Sequence, residues 1–131
     1  MNPRAQYLRT RVMTASPGEL LVMLYDGLLQ RIRQAKICFQ DGKWAKAGEL
    51  LGNAQDILSE LMGSLKREHA PQLVDNLFNL YDYCKRRLIE ALGGKNTDYL
   101  DEVHELLKPL RDAWQEASNK LRTEQPEAVN G

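Results

Sequence analysis

The stretch Thr14-Ala15-Ser16-Pro17-Gly18-Glu19-Leu20-Leu21-Val22-Met23-Leu24-Tyr25-Asp26-Gly27 marks the start of a long helix and decides the fold class. Ser16 is suited to the N-cap position, Pro17 to the first helical position and Glu19 to the third. In such a capping box the Ser16 hydroxyl accepts from a free backbone amide, and the Glu19 carboxylate reaches back to the Ser16 amide. The sequence therefore predicts that a helix begins at Pro17.

The apolar side chains of this predicted helix cover more of its surface than a single core contact requires. They sweep roughly half of the helix circumference, and they are Leu20, Leu21, Leu24, Tyr25, Leu28 and Leu29. Val22 and Met23 lie outside even that arc. Two interpretations remain open: the helix is buried on several sides, or it keeps one apolar face for a partner.

Three more helical patterns follow, separated by short breaks. The four helices are expected over residues 17–40, about 43–67, from Pro71 to Gly93-Gly94, and from Thr97 or Asp98 onward. Apolar residues of the second and fourth repeat in steps of three and four, the spacing of helices that pack at about 20°. We therefore expect an all-α fold, an antiparallel up-down four-helix bundle, with a kink near Pro109.

Length and composition limit the class of protein further. We expect an N-terminal arm or short cap helix (residues 1–16), the bundle (residues 17–122) and a flexible tail (residues 123–131). The 18 basic and 18 acidic residues give no net charge, which argues against a nucleic-acid partner. Cys38 and Cys84 are expected to be buried reduced thiols. Neither a signal peptide nor a membrane span is indicated, so a cytoplasmic location without membrane insertion is expected.

His104 is the strongest candidate for chemistry, and it fits no familiar site. Lys108 lies one residue too far away for a phosphotransfer bundle and is followed by Pro109 rather than glycine. A di-iron bundle needs two Glu-x-x-His motifs, whereas Asp101-x-x-His104 is one imperfect half. The cluster Lys85-Arg86-Arg87 is interpreted as a solvated face. We therefore expect no enzyme, no catalytic or cofactor-binding residue and no metal site.

A stripe of small residues marks one side of the second helix, away from its core-facing positions. The stripe falls within about 80° of arc, and it comprises Gly48, Gly52, Gln55, Ser59 and Gly63. Trp44 and Met62 lie between the stripe and the core-facing positions. Two interpretations are open: a shallow groove for a partner helix, or tolerated variation on an exposed face.

The N-terminal arm carries four apolar side chains, Tyr7, Leu8, Val12 and Met13. Side chains this apolar are expected to pack against other protein surface instead of remaining in water. Such an arm can fold over the bundle and cover a groove, in which case a partner must displace it and binds more weakly. The rival interpretation is a further packing segment.

Three blocks of the chain resemble the flagellin export chaperone family of bacterial flagella, the FliS proteins. The first is the Tyr7 arm followed by residues 13–27. The second is Asn76-Leu77-Phe78-Asn79-Leu80-Tyr81-Asp82-Tyr83-Cys84-Lys85-Arg86-Arg87-Leu88. The third runs from Glu102-Val103-His104-Glu105-Leu106-Leu107 to Ala113-Trp114. The resemblance spans residues 7–114, and it departs from the family pattern at Pro109 and at the glycines of the second helix.

The resemblance implies a cytosolic bundle that binds the C-terminal segment of flagellin in apolar grooves. Such a chaperone prevents premature polymerisation until the flagellar type III secretion apparatus takes the flagellin. The implied partners are flagellin and an export apparatus component, with another flagellar regulator left open, and the chaperone is a monomer or a weak homodimer. The alternative is a bundle adaptor or self-associating scaffold in flagellar regulation that binds no flagellin.

The predicted partner-binding set has two sources. The resemblance assigns Tyr7 to the arm, and it assigns to the core and groove together Leu20, Leu21, Leu24, Tyr25, Leu77, Leu80 and Tyr81. The residue patterns add Leu8, Val12, Met13, Met23, Trp44, Gly48, Gly52 and Met62. Which of these contact a partner, and which only fill the core, is left open by the sequence.

Overall fold

The computed structural model describes residues 2–124, which form five helices and, over that range, no strand. The helices are α1 (Pro3–Thr14), α2 (Pro17–Gln40), α3 (Trp44–Gly63), α4 (Pro71–Gly94) and α5 (Thr97–Glu124). α2 packs against α3 and α5, and α4 packs against the same two helices, so α2 to α5 close into a ring. The predicted all-α four-helix bundle with an N-terminal helix is confirmed.

Side-chain pairs across the ring show that neighbouring helices are antiparallel. Asp26 on α2 pairs with Arg111 on α5, and the later residue Lys36 pairs with the earlier residue Asp101. Residue numbers therefore rise along α2 as they fall along α5. α3 and α4 have the same relation. Gly48 lies beside Leu92, whereas the later residue Ser59 of α3 lies beside the earlier residue Lys85 of α4.

α2 begins where the sequence predicts, with Ser16 as N-cap and Pro17 as the first residue. The Ser16 hydroxyl accepts from the Glu19 backbone amide at 3.2 Å, a cap that contributes about 1 kcal/mol. The predicted return bond differs, because Glu19 Oε1 accepts from the Ser16 hydroxyl, also at 3.2 Å, rather than from the Ser16 amide. Beyond the other end of α2, Gly42 has φ +73°, which glycine adopts without strain.

One helix end differs from the sequence prediction. α3 ends at Gly63 instead of near residue 67, and the Ser64 hydroxyl donates to the Leu61 carbonyl at 2.8 Å. Such a local bond competes with a further helical turn. The end of α4 at Gly94 matches the prediction, and Lys95, the next residue, takes the left-handed conformation with φ +53°.

α5 is the longest helix, and it continues through Pro109 without a break. The described part of the helix reaches Glu124, so Thr123 and Glu124, which the sequence assigns to the tail, are helical. The other tail residues, 125–131, lie outside the described part of the chain.

The core contains two tyrosines that bond to each other. Tyr25 on α2 and Tyr81 on α4 are 0% and 2% exposed, and their hydroxyl oxygens are 2.5 Å apart. Burial raises the pKa of both phenols, so they stay neutral at physiological pH. Trp114 on α5 holds its indole nitrogen in the interior, without a hydrogen-bond partner among residues 2–124.

The two cysteines differ in burial. Cys84 is fully buried, and burial raises the pKa of its thiol to about 12. Cys38 is free as well, but it is only partly buried against the core. The prediction of a buried thiol is therefore confirmed for Cys84 and wrong for Cys38, which lies on the flank of α2 beside α3 rather than on its central core face.

Candidate functional site

α1 exposes the four apolar side chains that the sequence singles out. Tyr7 is 64% exposed, Leu8 42%, Val12 47% and Met13 75%, and no residue of α1 is buried. The arm is therefore helical, but it does not close over a groove in this structure. A basic residue stands in its last turn, Arg11, and no acidic residue stands in its first.

The predicted partner-binding residues of α2 divide by depth. Tyr25 lies in the core, whereas Leu20, Leu21, Met23 and Leu24 are half-buried. Leu20 and Leu24 share the flank of α2 that carries Gly27, where an added Cβ would lie 3.8 Å from Ile57 Cδ1 of α3. Leu20 and Leu24 therefore lie beside α3 with part of their surface open.

The over-wide apolar arc of α2 reflects burial on several sides. Val22, which the sequence places outside the arc, is 3% exposed. α5 lies beside this side of α2, where Arg111 bridges to Asp26 at 2.7 Å. The first interpretation of the arc is thus confirmed for Val22, while Met23 keeps a half-exposed position.

On α4, two of the three predicted partner-binding residues are core residues. Leu77 is 8% exposed and Tyr81 2%, so neither reaches the surface. Leu80 is half-buried and packs against the core from the side of α5. These burial values separate core positions from surface positions, which the sequence left open.

The small-residue stripe of α3 faces α4. An added Cβ at Gly48 would lie 3.7 Å from Leu92 Cδ1 of α4, and one at Gly52 would meet no atom within 4 Å. Further along the same flank, Lys85 Nζ of α4 donates to Ser59 Oγ at 2.7 Å. Half-buried Met62 and Trp44, which is 43% exposed, lie along the same side of α3 as these small residues.

The α4 side of this surface carries apolar residues that sequence reasoning missed. Phe78, Ile89 and Leu92 are 47%, 55% and 37% exposed, and their helical spacing puts them on the flank of Lys85. We call the surface the α3–α4 groove: Trp44, Gly48, Gly52 and Met62 on one wall, and Phe78, Ile89 and Leu92 on the other. The sequence does contain a signal for this second wall, because Phe78, Ile89 and Leu92 form an apolar stripe on α4 that is offset from the stripe of core residues.

The basic cluster on α4 is only partly a solvated face. Arg86 is exposed, but Arg87 reaches α5, where its Nε donates to Glu102 Oε1 at 2.8 Å. The Arg87 guanidinium also stacks 4.2 Å from the centre of the Tyr99 ring. Because Arg87 ties α4 to α5, the solvated-face interpretation is wrong for this residue.

The opposite side of the ring is the α2–α5 seam, which three polar pairs cross. Arg111 binds Asp26 and Lys36 binds Asp101, while Arg33 Nε donates to His104 Nε2 at 2.9 Å. A cleft of about 400 Å³ opens beside the last pair, and four residues from each helix line it: Ile32, Arg33, Lys36, Ile37, Leu100, Asp101, His104 and Glu105.

The His104 imidazole accepts a hydrogen bond in this arrangement, so its Nε2 carries no proton. Burial, and then the positive charges of Arg33 and Lys108, lower the pKa of His104 from its ordinary value. Over residues 2–124, no group of three or more His, Cys, Asp or Glu side chains is placed to hold a metal ion. Nor is any helix in that range long and apolar enough to cross a membrane.

Comparison with known proteins gives a consistent result over nearly the whole chain. The family model described as flagellar protein FliS matches residues 1–121. The flagellar secretion chaperone FliS of Bacillus subtilis is 37% identical over 121 residues, which cover 92% of this chain and 90% of the relative. Its counterpart in Salmonella typhimurium is 33% identical over 114 residues, covering 86% and 84%.

A solved structure agrees with the fold. The crystal structure of a flagellar chaperone from bacteria superimposes with a TM-score of 0.75 at 22% identity, covering 90% of this chain and 99% of that one. It has the same helical architecture, whereas the sequence matches carry the assignment to a family. On the family model and on relatives above 30% identity, the chain belongs to the FliS family of flagellar proteins.

Proposed function

We propose that this chain is a cytoplasmic flagellar secretion chaperone that binds the C-terminal segment of flagellin, keeps it from polymerising and presents it to the export apparatus. The observation that carries the proposal is the α3–α4 groove, where Leu92 of α4 lies 3.7 Å from the Cβ position of Gly48 and exposed Phe78 and Ile89 share the flank of Leu92. Family membership supports the role, because the curated relatives are named flagellar secretion chaperones.

The shape of the groove suits a helix or an extended stretch of a partner. Side chains are missing at Gly48 and Gly52, so a partner backbone can approach α3 closely while its apolar residues cover Phe78 and Ile89. A disordered segment loses conformational entropy when it folds on a partner, so it needs a long apolar track. α3 and α4 supply one, with 20 and 24 residues respectively.

We propose that the half-buried residues of α2 extend this track and that α1 is a further contact surface. The α2 residues are Leu20, Leu21, Met23 and Leu24, and the α1 residues are Tyr7, Leu8, Val12 and Met13. Holding a segment in this way is an equilibrium process, so the proposal requires no catalytic group, cofactor or metal.

The test is calorimetric titration of the full chain with a peptide spanning the C-terminal segment of flagellin from the same organism. Ile89 and Ile37 form a matched pair, since they are 55% and 56% exposed on opposite sides of the ring. We expect saturable binding with a negative heat-capacity change, a loss of roughly tenfold or more in affinity with Ile89→Asp, and unchanged affinity with Ile37→Asp.

Two results would count against the proposal. Absence of binding, both for the full chain and for a chain without residues 1–14, would refute flagellin binding. Equal losses in the two isoleucine variants would refute the α3–α4 groove as the site. The alternative, a self-associating scaffold, predicts concentration-dependent dimerisation without flagellin, which sedimentation of the same samples measures.

A further inference from the structure

The α2–α5 seam contains one cation that lacks a carboxylate partner. Of the three basic side chains that cross the seam from either helix, Arg111 and Lys36 each bind an aspartate, at 2.7 and 2.8 Å. Arg33 instead donates to the uncharged imidazole of His104. Among residues 2–124 that is the one side-chain bond of Arg33, so Arg33 has no carboxylate within salt-bridge distance where α2 meets α5.

The cleft beside this pair is apolar below and open above. Ile32 and Leu100 are each 1% exposed and form its floor, whereas Ile37 at its rim is 56% exposed. The site therefore offers the Arg33 guanidinium as a donor, and the His104 ring as a second donor once it is protonated, next to an aliphatic surface.

We propose that this cleft binds an acidic side chain of a protein partner, with the carboxylate on Arg33 and His104 and a neighbouring aliphatic side chain on Ile37. An arginine favours carboxylates because its planar guanidinium presents paired donors. A polypeptide fits better than a small hydrated anion, because only the former covers the exposed rim at Ile37. The site lies across the ring from the α3–α4 groove, so it goes beyond flagellin binding and does not depend on it.

Binding of a carboxylate here is linked to proton uptake. The charged groups facing His104 are Arg33 and Lys36 on α2, and on α5 they are Asp101, Glu105 and Lys108. Without a ligand the imidazole accepts from Arg33. A bound carboxylate favours the imidazolium, which donates instead, so it raises the pKa of His104. Affinity should therefore increase as pH falls toward that pKa.

Glu105 opposes the ligand, because it lines the same cleft and carries the same charge. Glu105→Gln should accordingly tighten binding, whereas Arg33→Gln should weaken it by roughly tenfold through the loss of a charge-assisted hydrogen bond. Ile37→Ser should weaken binding although it changes neither donor. Because Ile37 is exposed, this substitution should leave the fold intact, so a loss of affinity would not reflect misfolding.

The experiment follows the two histidine rings of the full chain by NMR. His69 lies exposed between α3 and α4 and is the internal control. The probes are acetyl-Leu-Glu-amide, its matched analogue acetyl-Leu-Gln-amide, and inorganic phosphate. We expect the glutamate peptide to shift the His104 ring and the Ile37 methyl signals in a saturable way and to raise the pKa of His104, while the His69 ring signals stay unchanged.

Three outcomes would overturn the proposal. Equal shifts with the glutamine analogue would show that no carboxylate is recognised. Shifts with phosphate but none with the glutamate peptide would indicate a small-anion site instead of a protein docking site. Equal effects on His69 and His104 would mean that the peptide does not select the cleft. Because these readouts use no flagellin, their failure is distinguishable from failure of the flagellin titration.

Discussion

The α2–α5 seam and the α3–α4 groove lie on opposite sides of one ring, and they are built from different residues. Three polar pairs cross the seam, and α2 and α5 approach closely where an added Cβ at Gly18 would lie 3.3 Å from Ser118 Oγ. Across the groove the structure shows a single side-chain bond, from Lys85 to Ser59. The groove instead has glycines on α3 and exposed apolar residues on α4.

The difference shows that this bundle fixes its register on one side and leaves the other side adaptable. Polar pairs are directional and restrict how α2 and α5 slide past each other. Glycines and exposed apolar side chains place no such restriction on α3 and α4. The proposed partner would therefore occupy the groove without breaking any side-chain bond between the two helices apart from the Lys85 contact.

The largest effect on stability is expected when a valine side chain is placed once in the α2–α5 seam and once in the α3–α4 groove. Gly18→Val should lower the free energy of unfolding by about 1–3 kcal/mol, because the added groups meet Ser118. Gly52→Val should leave it nearly unchanged or slightly higher, because nothing lies within 4 Å of the added Cβ and valine is a better helix former than glycine. Denaturant unfolding measures both. Equal losses would show that the two interfaces are equally close-packed and would remove the contrast.

A smaller effect separates stability from binding. Gly52→Ala should raise the free energy of unfolding by about 0.5–1 kcal/mol, since alanine is the better helix former and its methyl group meets no neighbour. The same methyl group should weaken binding of the flagellin segment, because it stands on the groove wall. Greater stability with unchanged affinity in calorimetry would show that the partner does not contact α3 at this position.

The smallest effect is expected from the ion pairs of the seam. Asp101→Asn removes the partner of Lys36, but the two side chains are 46% and 36% exposed. We therefore expect a loss of about 0.2–1 kcal/mol in the free energy of unfolding, and a smaller loss at high salt. A loss that does not depend on salt would mean that Asp101 stabilises the bundle through packing. The register of α2 against α5 would then be fixed by the Gly18 contact and the Arg111 ion pair alone.

Most of the fold could be predicted because local signals agree with one another. The cap at Ser16, the first-turn proline at Pro71 and the apolar steps of three and four all indicate four helices. The error in the helix bounds lies at the end of α3, where the Ser64 hydroxyl bonds to the Leu61 carbonyl and the helix stops early. α5 continues through Pro109, and the kink expected there stays a prediction.

The candidate site was harder to predict because it depends on which helix lies beside which. The stripe containing Gly48 and Gly52 was visible in the sequence, but its apolar neighbours Phe78 and Ile89 gain meaning only when α4 is placed next to it. Likewise, Tyr81 looks the same in sequence whether it binds a partner or fills the core. The seam pair of Arg33 and His104 joins residues 71 positions apart.

The two tryptophans give the molecule separate optical reporters at different depths. Trp44 lies at one end of the groove, 43% exposed, with the Lys95 ammonium 4.4 Å from the ring centre. Trp114 has its indole nitrogen sealed in the interior. A ligand that covers the groove changes the environment of Trp44 and leaves that of Trp114 as it was. Fluorescence of the unlabelled chain can thus distinguish occupation of the groove from loosening of the core.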